Sequence, residues 1–113
     1  MIKHFNVQFL EPAFSYLENL DLKTRKKILQ NINRSQYETN PTLFKKLDDQ
    51  IWEFRTRFAN KQHRILAFWD KTKENNTLVI ATHGILKKES KIKKGEIDKA
   101  KKLREDYFNN SNS

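Results

Sequence analysis

Three apolar segments between Ile51 and Lys88 follow one another with only short polar breaks, and this meander constrains the fold more than any other feature. The first reads I-W-E-F-R-T-R-F, the second H-R-I-L-A-F-W-D, and the third T-L-V-I-A-T-H-G-I-L-K-K. In the first, Trp52, Phe54, Thr56 and Phe58 alternate with Glu53, Arg55 and Arg57. Side chains point to opposite faces at successive strand positions, so such a strand buries one face and displays an acid between cations on the other. Arg64 opens the second segment and Lys87-Lys88 closes the third, so pairing the strands gathers these charges on one side of a small sheet, a side suited to phosphate chemistry.

The alternation predicts strands over 51–58, 63–70 and 77–86, joined by A-N-K-Q and K-T-K-E-N-N, both short enough for hairpins. The last two strands are apolar on both faces, as central strands covered by helices are. Near the N-terminus Phe5, Val7 and Phe9 alternate with Asn6 and Gln8, which predicts a further strand over 2–9. Pro12 suits the first turn of a helix carrying Phe14, Leu17 and Leu20. Asp21 can cap a second helix with the stripe Ile28, Leu29, Ile32, ended by Asn40-Pro41. Residues 42–50 read as an approach loop anchored by Phe44 and Leu47. After the basic loop K-K-E-S-K-I-K-K, punctuated by Gly95, a last helix from Glu96 onward puts Ile97, Ala100, Leu103, Tyr107 and Phe108 on one face, and the N-N-S-N-S tail reads as frayed. The expected fold class is α+β: a small, antiparallel-dominated sheet of about four strands, an N-terminal helical hairpin packed on it, and a C-terminal helix.

A chain of 113 residues makes one domain, here 1–113. The formal net charge of +9 favours polyanionic partners, although a basic surface can also be merely solvated. Placing Arg inside apolar strands argues for use. Without cysteine there is no disulfide, thiolate nucleophile or Cys-ligated zinc. The N-terminus lacks the apolar run of a signal segment and nothing approaches membrane-spanning length, so the chain reads as soluble, unprocessed and cytoplasmic, with no membrane partner.

His4, His63 and His83 are too scattered for helical metal-ligand spacing, which leaves Asp48, Asp49 and Glu53 as a poor magnesium set. Two glycines cannot build a phosphate loop. No metal or cofactor is expected. A ribonuclease needs none, because RNA carries its own nucleophile in the 2'-OH. The enzyme must align that hydroxyl, take its proton, neutralise the equatorial oxygens and stabilise the leaving 5'-oxygen. Glu53 is the candidate base, Arg55 and Arg64 are candidate phosphate clamps, and Lys87 and Lys88 are candidates to neutralise charge. Lys45, Lys46, Arg57, Lys87, Lys91, Lys93 and Lys94 extend a basic surface for RNA. Each has a plainer reading: Glu53 as a strand-face ion pair, the lysines as solvated charge, His83 and Tyr107 as packing residues, and Trp52 and Trp69 as core rather than base-stacking rings.

The motifs F-K-K-L (44–47), I-W-E-F-R (51–55), H-R-I-L (63–66) and H-G-I-L-K-K (83–88), followed by E-I-D-K-A-K-K-L-R-E-D-Y, resemble in order and spacing the RelE/ParE superfamily of type II toxins, in its phage-derived HigB-like branch. With the N-terminal strand and hairpin the resemblance covers nearly the whole chain. It implies a metal-independent endoribonuclease that cleaves messenger RNA on the ribosome and is neutralised by a HigA-like antitoxin with a helix-turn-helix domain, DNA being reached only through that antitoxin. It also implies phosphate-binding or catalytic roles for Arg55, Arg64 and Lys88 and a base role for Glu53, where RelE-type members carry a lysine. Two other readings stay open: a ParE-like toxin that binds gyrase and cuts no RNA, and a degenerate member that only binds RNA or its antitoxin.

Overall fold

The computed structural model describes residues 2–72 and 77–111. Its elements run β1 (Asn6–Phe9), α1 (Glu11–Glu18), α2 (Leu22–Ser35), β2 (Phe44–Lys46), β3 (Trp52–Phe58), β4 (Lys61–Asp70), β5 (Leu78–Lys87) and α3 (Lys94–Ser111). The strands form one mixed sheet in the order β1-β5-β4-β3-β2, with β1 parallel to β5 and the other pairs antiparallel. The α+β class and the antiparallel meander are as expected. The K-T-K-E-N-N connection lies outside the described residues over 73–76, as does the end of the tail at 112 and 113.

The described residues form five strands instead of about four, because part of the expected approach loop pairs with β3 as the edge strand β2. Three residues are too few to show a strand period, and aromatic packing makes this one: the Phe44 ring stacks on Phe54 at 4.4 Å and on Trp52 at 4.8 Å. The second helix stops at Ser35, short of Asn40. There Gln36 leaves the helix axis to tie down the start of β1, its side chain donating to the Phe5 carbonyl and its own carbonyl accepting from the His4 N–H. Gly95 lies inside the first turn of α3, which begins at Lys94.

The helical hairpin covers one face of the sheet. Asp21 caps α2 as its position predicts, accepting from the Thr24 N–H and hydroxyl. Arg25 then donates to the Leu17, Glu18 and Leu20 carbonyls and satisfies the exposed end of α1. Beneath the hairpin lies a core of Phe5, Leu17, Ile28, Ile32, Phe54, Ile65 and Val79. On the opposite face α3 packs over Ile51, Leu66, Phe68 and Ile80 through Ile97, Ala100, Tyr107 and Phe108. Leu66 and Phe68 lie toward the C-terminal half of β4, so the other half of this face, from Glu53 to Lys87, carries mostly polar side chains beside Ile85.

Candidate functional site

Register brings the strand charges together. Glu53 stands opposite Lys45 on β2 and Leu66 on β4; Arg55 stands opposite Arg64, which in turn faces Ile85; and Arg57, Gln62 and Lys87 form the next row. Residues directly paired across a ladder point to the same face. Lys45, Glu53, Arg55, Arg57, Arg64 and Lys87 therefore share the part of the sheet that α3 leaves uncovered.

At the centre the Glu53 Oε1 lies 3.1 Å from the Arg64 Nε, and its Oε2 lies 3.7 Å from the Arg55 Nε. The alternation predicts a displayed Glu53 and a strand-end Arg64, and the structure corrects both. Glu53 is 5% and Arg64 3% exposed, so carboxylate and guanidinium meet out of water. Arg55 keeps a 30% exposed side chain and is the open member of the trio.

The Arg64 guanidinium is fixed from behind, Nη1 donating to the His63 carbonyl at 3.1 Å and Nη2 to the Gln62 Oε1 at 2.8 Å. Burial pushes Arg64 below its ordinary value; Glu53 opposes that shift and Arg55 adds to it. Although close, the Arg64 Nε and Glu53 Oε1 are not aligned as donor and acceptor, and neither these atoms nor the Arg55 Nε have a hydrogen-bond partner among the described residues. Coulombic attraction holds the trio while hydrogen-bonding capacity is kept in reserve at its centre. A carboxylate so placed can accept a proton, and the half-exposed guanidinium beside it can meet an anion.

Other expected members are placed differently. Lys88 lies one residue past the end of β5 and is exposed. Strand alternation gives Lys87, not Lys88, the side shared with Arg64. Lys46 pairs with Trp52 and so points to the face opposite Glu53. In the basic loop Lys93 pairs with Glu89 at 3.6 Å, and at the start of α3 Lys94 pairs with Asp98 at 2.8 Å, both exposed, while Lys91 is exposed beside them. The Asp48, Asp49 and Glu53 set does not assemble: Asp48 accepts from the Gln50 and Ile51 N–H groups and pairs with Lys101 at 2.9 Å. Among the described residues no group of three His, Asp or Glu side chains is arranged to hold a metal ion.

His83 is 3% exposed, with Nδ1 3.1 Å from the Thr82 hydroxyl and Nε2 3.2 Å from the Glu96 carboxylate. Desolvation lowers its pKa, Lys99 adds to the shift and Glu96 opposes it. This contact pins the first turn of α3 to β5 and marks the border of the uncovered face. Tyr107 donates to the Asp70 Oδ2 at 2.6 Å, at the far end of β4 from Arg64. Gln62, which sequence reasoning missed, is signalled by its position two residues before Arg64 on the same strand face.

Among the described helices none is long and apolar enough to cross a membrane. A model of the family described as phage-derived protein Gp49-like matches residues 15–105. No curated protein matches the chain. Among solved structures, a double mutant of the E. coli toxin RelE in the free state superposes with a TM-score of 0.62 at 13% identity, covering 89% of this chain and 97% of that one.

Proposed function

Because the chain belongs to the phage-derived Gp49-like family and has the fold of the RelE-like toxins, we propose that it is the toxin of a type II toxin–antitoxin pair, a metal-independent endoribonuclease that cuts messenger RNA on the ribosome. The observation that carries this reading is the Glu53 carboxylate held between Arg64 at 3.1 Å and the half-exposed Arg55 at 3.7 Å, on the one part of the sheet free of α3.

In the proposed reaction Glu53 takes the proton of the 2'-OH as that oxygen attacks phosphorus. The bond to the 5'-oxygen breaks, leaving a 2',3'-cyclic phosphate and a 5'-hydroxyl. Arg55 swings onto the equatorial oxygens as negative charge builds there. Arg64, buried and tethered to Gln62, acts through Glu53 by fixing its orientation. Lys87, with Lys88 beside it, neutralises the leaving oxygen, which takes its proton from an ammonium group or from water. Lys45 and Arg57 guide the flanking phosphates.

The natural inhibitor is then an antitoxin of the HigA type whose acidic segment competes for the same cations, in the cytoplasm where ribosomes and message are found. Cleavage of ribosome-bound message by the wild-type chain and by Glu53→Gln and Arg55→Ala variants tests the reading. A loss of about a hundredfold or more in single-turnover rate is expected for each, with ribosome binding retained for Glu53→Gln. A 5'-phosphate product excludes 2'-OH attack. Trapped gyrase–DNA complexes with intact message favour the ParE-like reading, and binding without damage to either substrate favours a degenerate member.

A further inference from the structure

A second groove lies away from the Glu53 cluster and shares no residue with it. It is a cavity of about 660 Å³ at the end of the sheet where β3 begins and β4 ends, walled by Trp52, Trp69 and Phe108 and rimmed by Lys46, Lys71 and Arg104. This is within the roughly 300–1,000 Å³ that small ligands occupy. The two indoles meet edge to face at 6.1 Å. Each is only half-buried, although both could have been sealed in a core already rich in aromatic rings. The Arg104 guanidinium lies 5.1 Å from the centre of the Phe108 ring, a cation held against an aromatic face at the mouth of the groove. Among the described residues of the lining, Asp49 is the one acid against three cations.

We infer that this groove binds a single-stranded RNA segment, with a base packed against the Trp52–Trp69 wall and its phosphates held by Lys46, Lys71 and Arg104. Aromatic rings interleaved with Lys and Arg are what single-stranded nucleic acid requires, because every base offers a π-face and every linkage a negative charge. An acidic peptide would use the cations and leave the indoles idle. The edge strand connects the two sites. Lys45 points to the Glu53 face and Lys46 to the tryptophan face, so a strand of RNA passing over β2 meets a cation on each side of the edge. The inference rests on RNA being the substrate and adds where the strand is gripped beyond the scissile phosphate.

Both tryptophans of the chain line this groove, so tryptophan fluorescence, excited selectively over the three tyrosines, reports on it. Titrating the full chain with a short single-stranded RNA oligonucleotide should give saturable quenching. The Lys46→Glu, Lys71→Glu, Arg104→Glu triple variant should raise the dissociation constant by about tenfold or more, since each lost phosphate contact weakens binding and its salt dependence. An oligonucleotide of the same length with abasic sites should quench far less. Equal quenching by the abasic strand, or oligonucleotide binding by anisotropy without quenching, overturns the inference. So does an acidic peptide that quenches at lower concentration than RNA, which would give the groove to a protein partner. The Arg55→Ala variant separates the two readings: quenching that persists when cleavage is lost supports both, whereas quenching by a wild-type chain that never cuts message sinks only the ribonuclease.

Discussion

Glu53 and Arg64 meet diagonally across β3 and β4, two residues out of register on the same face, with 3.1 Å between Oε1 and Nε and both side chains out of water. Removing one partner from a buried ion pair leaves the other charge desolvated and uncompensated, typically at about 3–5 kcal/mol. Arg55 still stands 3.7 Å from the carboxylate, so Arg64→Ala should fall near the lower end of that range. For a domain of this size this lowers the melting temperature by on the order of 10 °C or more. Adding Glu53→Gln should restore part of the loss. Loss of toxicity in Arg64→Ala is therefore evidence about chemistry only once thermal melts show the variant folded at the assay temperature.

The period-two pattern made β3, β4 and β5 legible, together with the shared face of Glu53, Arg55, Arg57, Arg64 and Lys87. A strict alternation also predicts register once hairpins are short. Depth was not legible. Alternation shows which way Glu53 points, but not that it is buried against Arg64 with Arg55 beside it. Nor does it show that α3 covers only half of that face, since the stop of the helical cover depends on the His83–Glu96 contact between residues thirteen positions apart. β2 escaped because three residues carry no period, and the tryptophan groove because its lining comes from β2, β3, the end of β4 and α3, which are far apart in the chain.

Gly84 should not tolerate a side chain. A Cβ at this position would come within 2.2 Å of the Tyr16 Cγ and 2.8 Å of its Cβ, so the base of the ring and not a flexible tip is in the way. Overpacking of this kind costs about 1–3 kcal/mol. Gly84→Ala should lower thermal stability, and pairing it with Tyr16→Ala should recover part of that loss. Strictly additive melting shifts for the two substitutions contradict the account.

Stability should fall as the pH drops below about 6.5, through His63 and His83. The Tyr16 hydroxyl lies 2.7 Å from the His63 Nδ1, and the His63 Nε2 is buried with no hydrogen-bond partner among the described residues. Burial lowers its pKa, Lys61 and Arg64 add to the shift, and Asp21 opposes it. With the folded pKa below the ordinary 6.5, the unfolded chain takes up the proton first. The contribution is whole above about pH 7, declines as pH falls through 6.5, and levels off once the folded form is protonated as well. Each proton gives a slope of at most about 1.4 kcal/mol per pH unit. Urea midpoints between pH 8 and 5 should show the decline, and His63→Gln should flatten it. A midpoint that rises on acidification in this window rules out the neutral-histidine assignment.

Tyr107 should be a structural residue. Its hydroxyl donates to the Asp70 Oδ2 at 2.6 Å, and its ring packs edge-on against Phe68 at 5.4 Å. Asp70 is 1% exposed and also accepts from the Thr72 N–H at 2.9 Å, so the tyrosine belongs to a buried acid's solvation shell. Burial, followed by the Asp70 hydrogen bond and charge, pushes the phenol up to about 12, which keeps it a donor and unfit to act as a base near neutral pH. Asp70 is six residues along β4 from Arg64, about 20 Å at strand spacing. Tyr107→Phe removes the donor while keeping the ring, and should cost roughly 1–3 kcal/mol of stability. The single-turnover rate on ribosome-bound message should stay unchanged at temperatures where the variant is folded, because the Glu53 end of the sheet is untouched. A rate loss of about a hundredfold with an unaltered melting temperature would be the signature of a transition-state contact, and would move the reactive centre to the far end of β4.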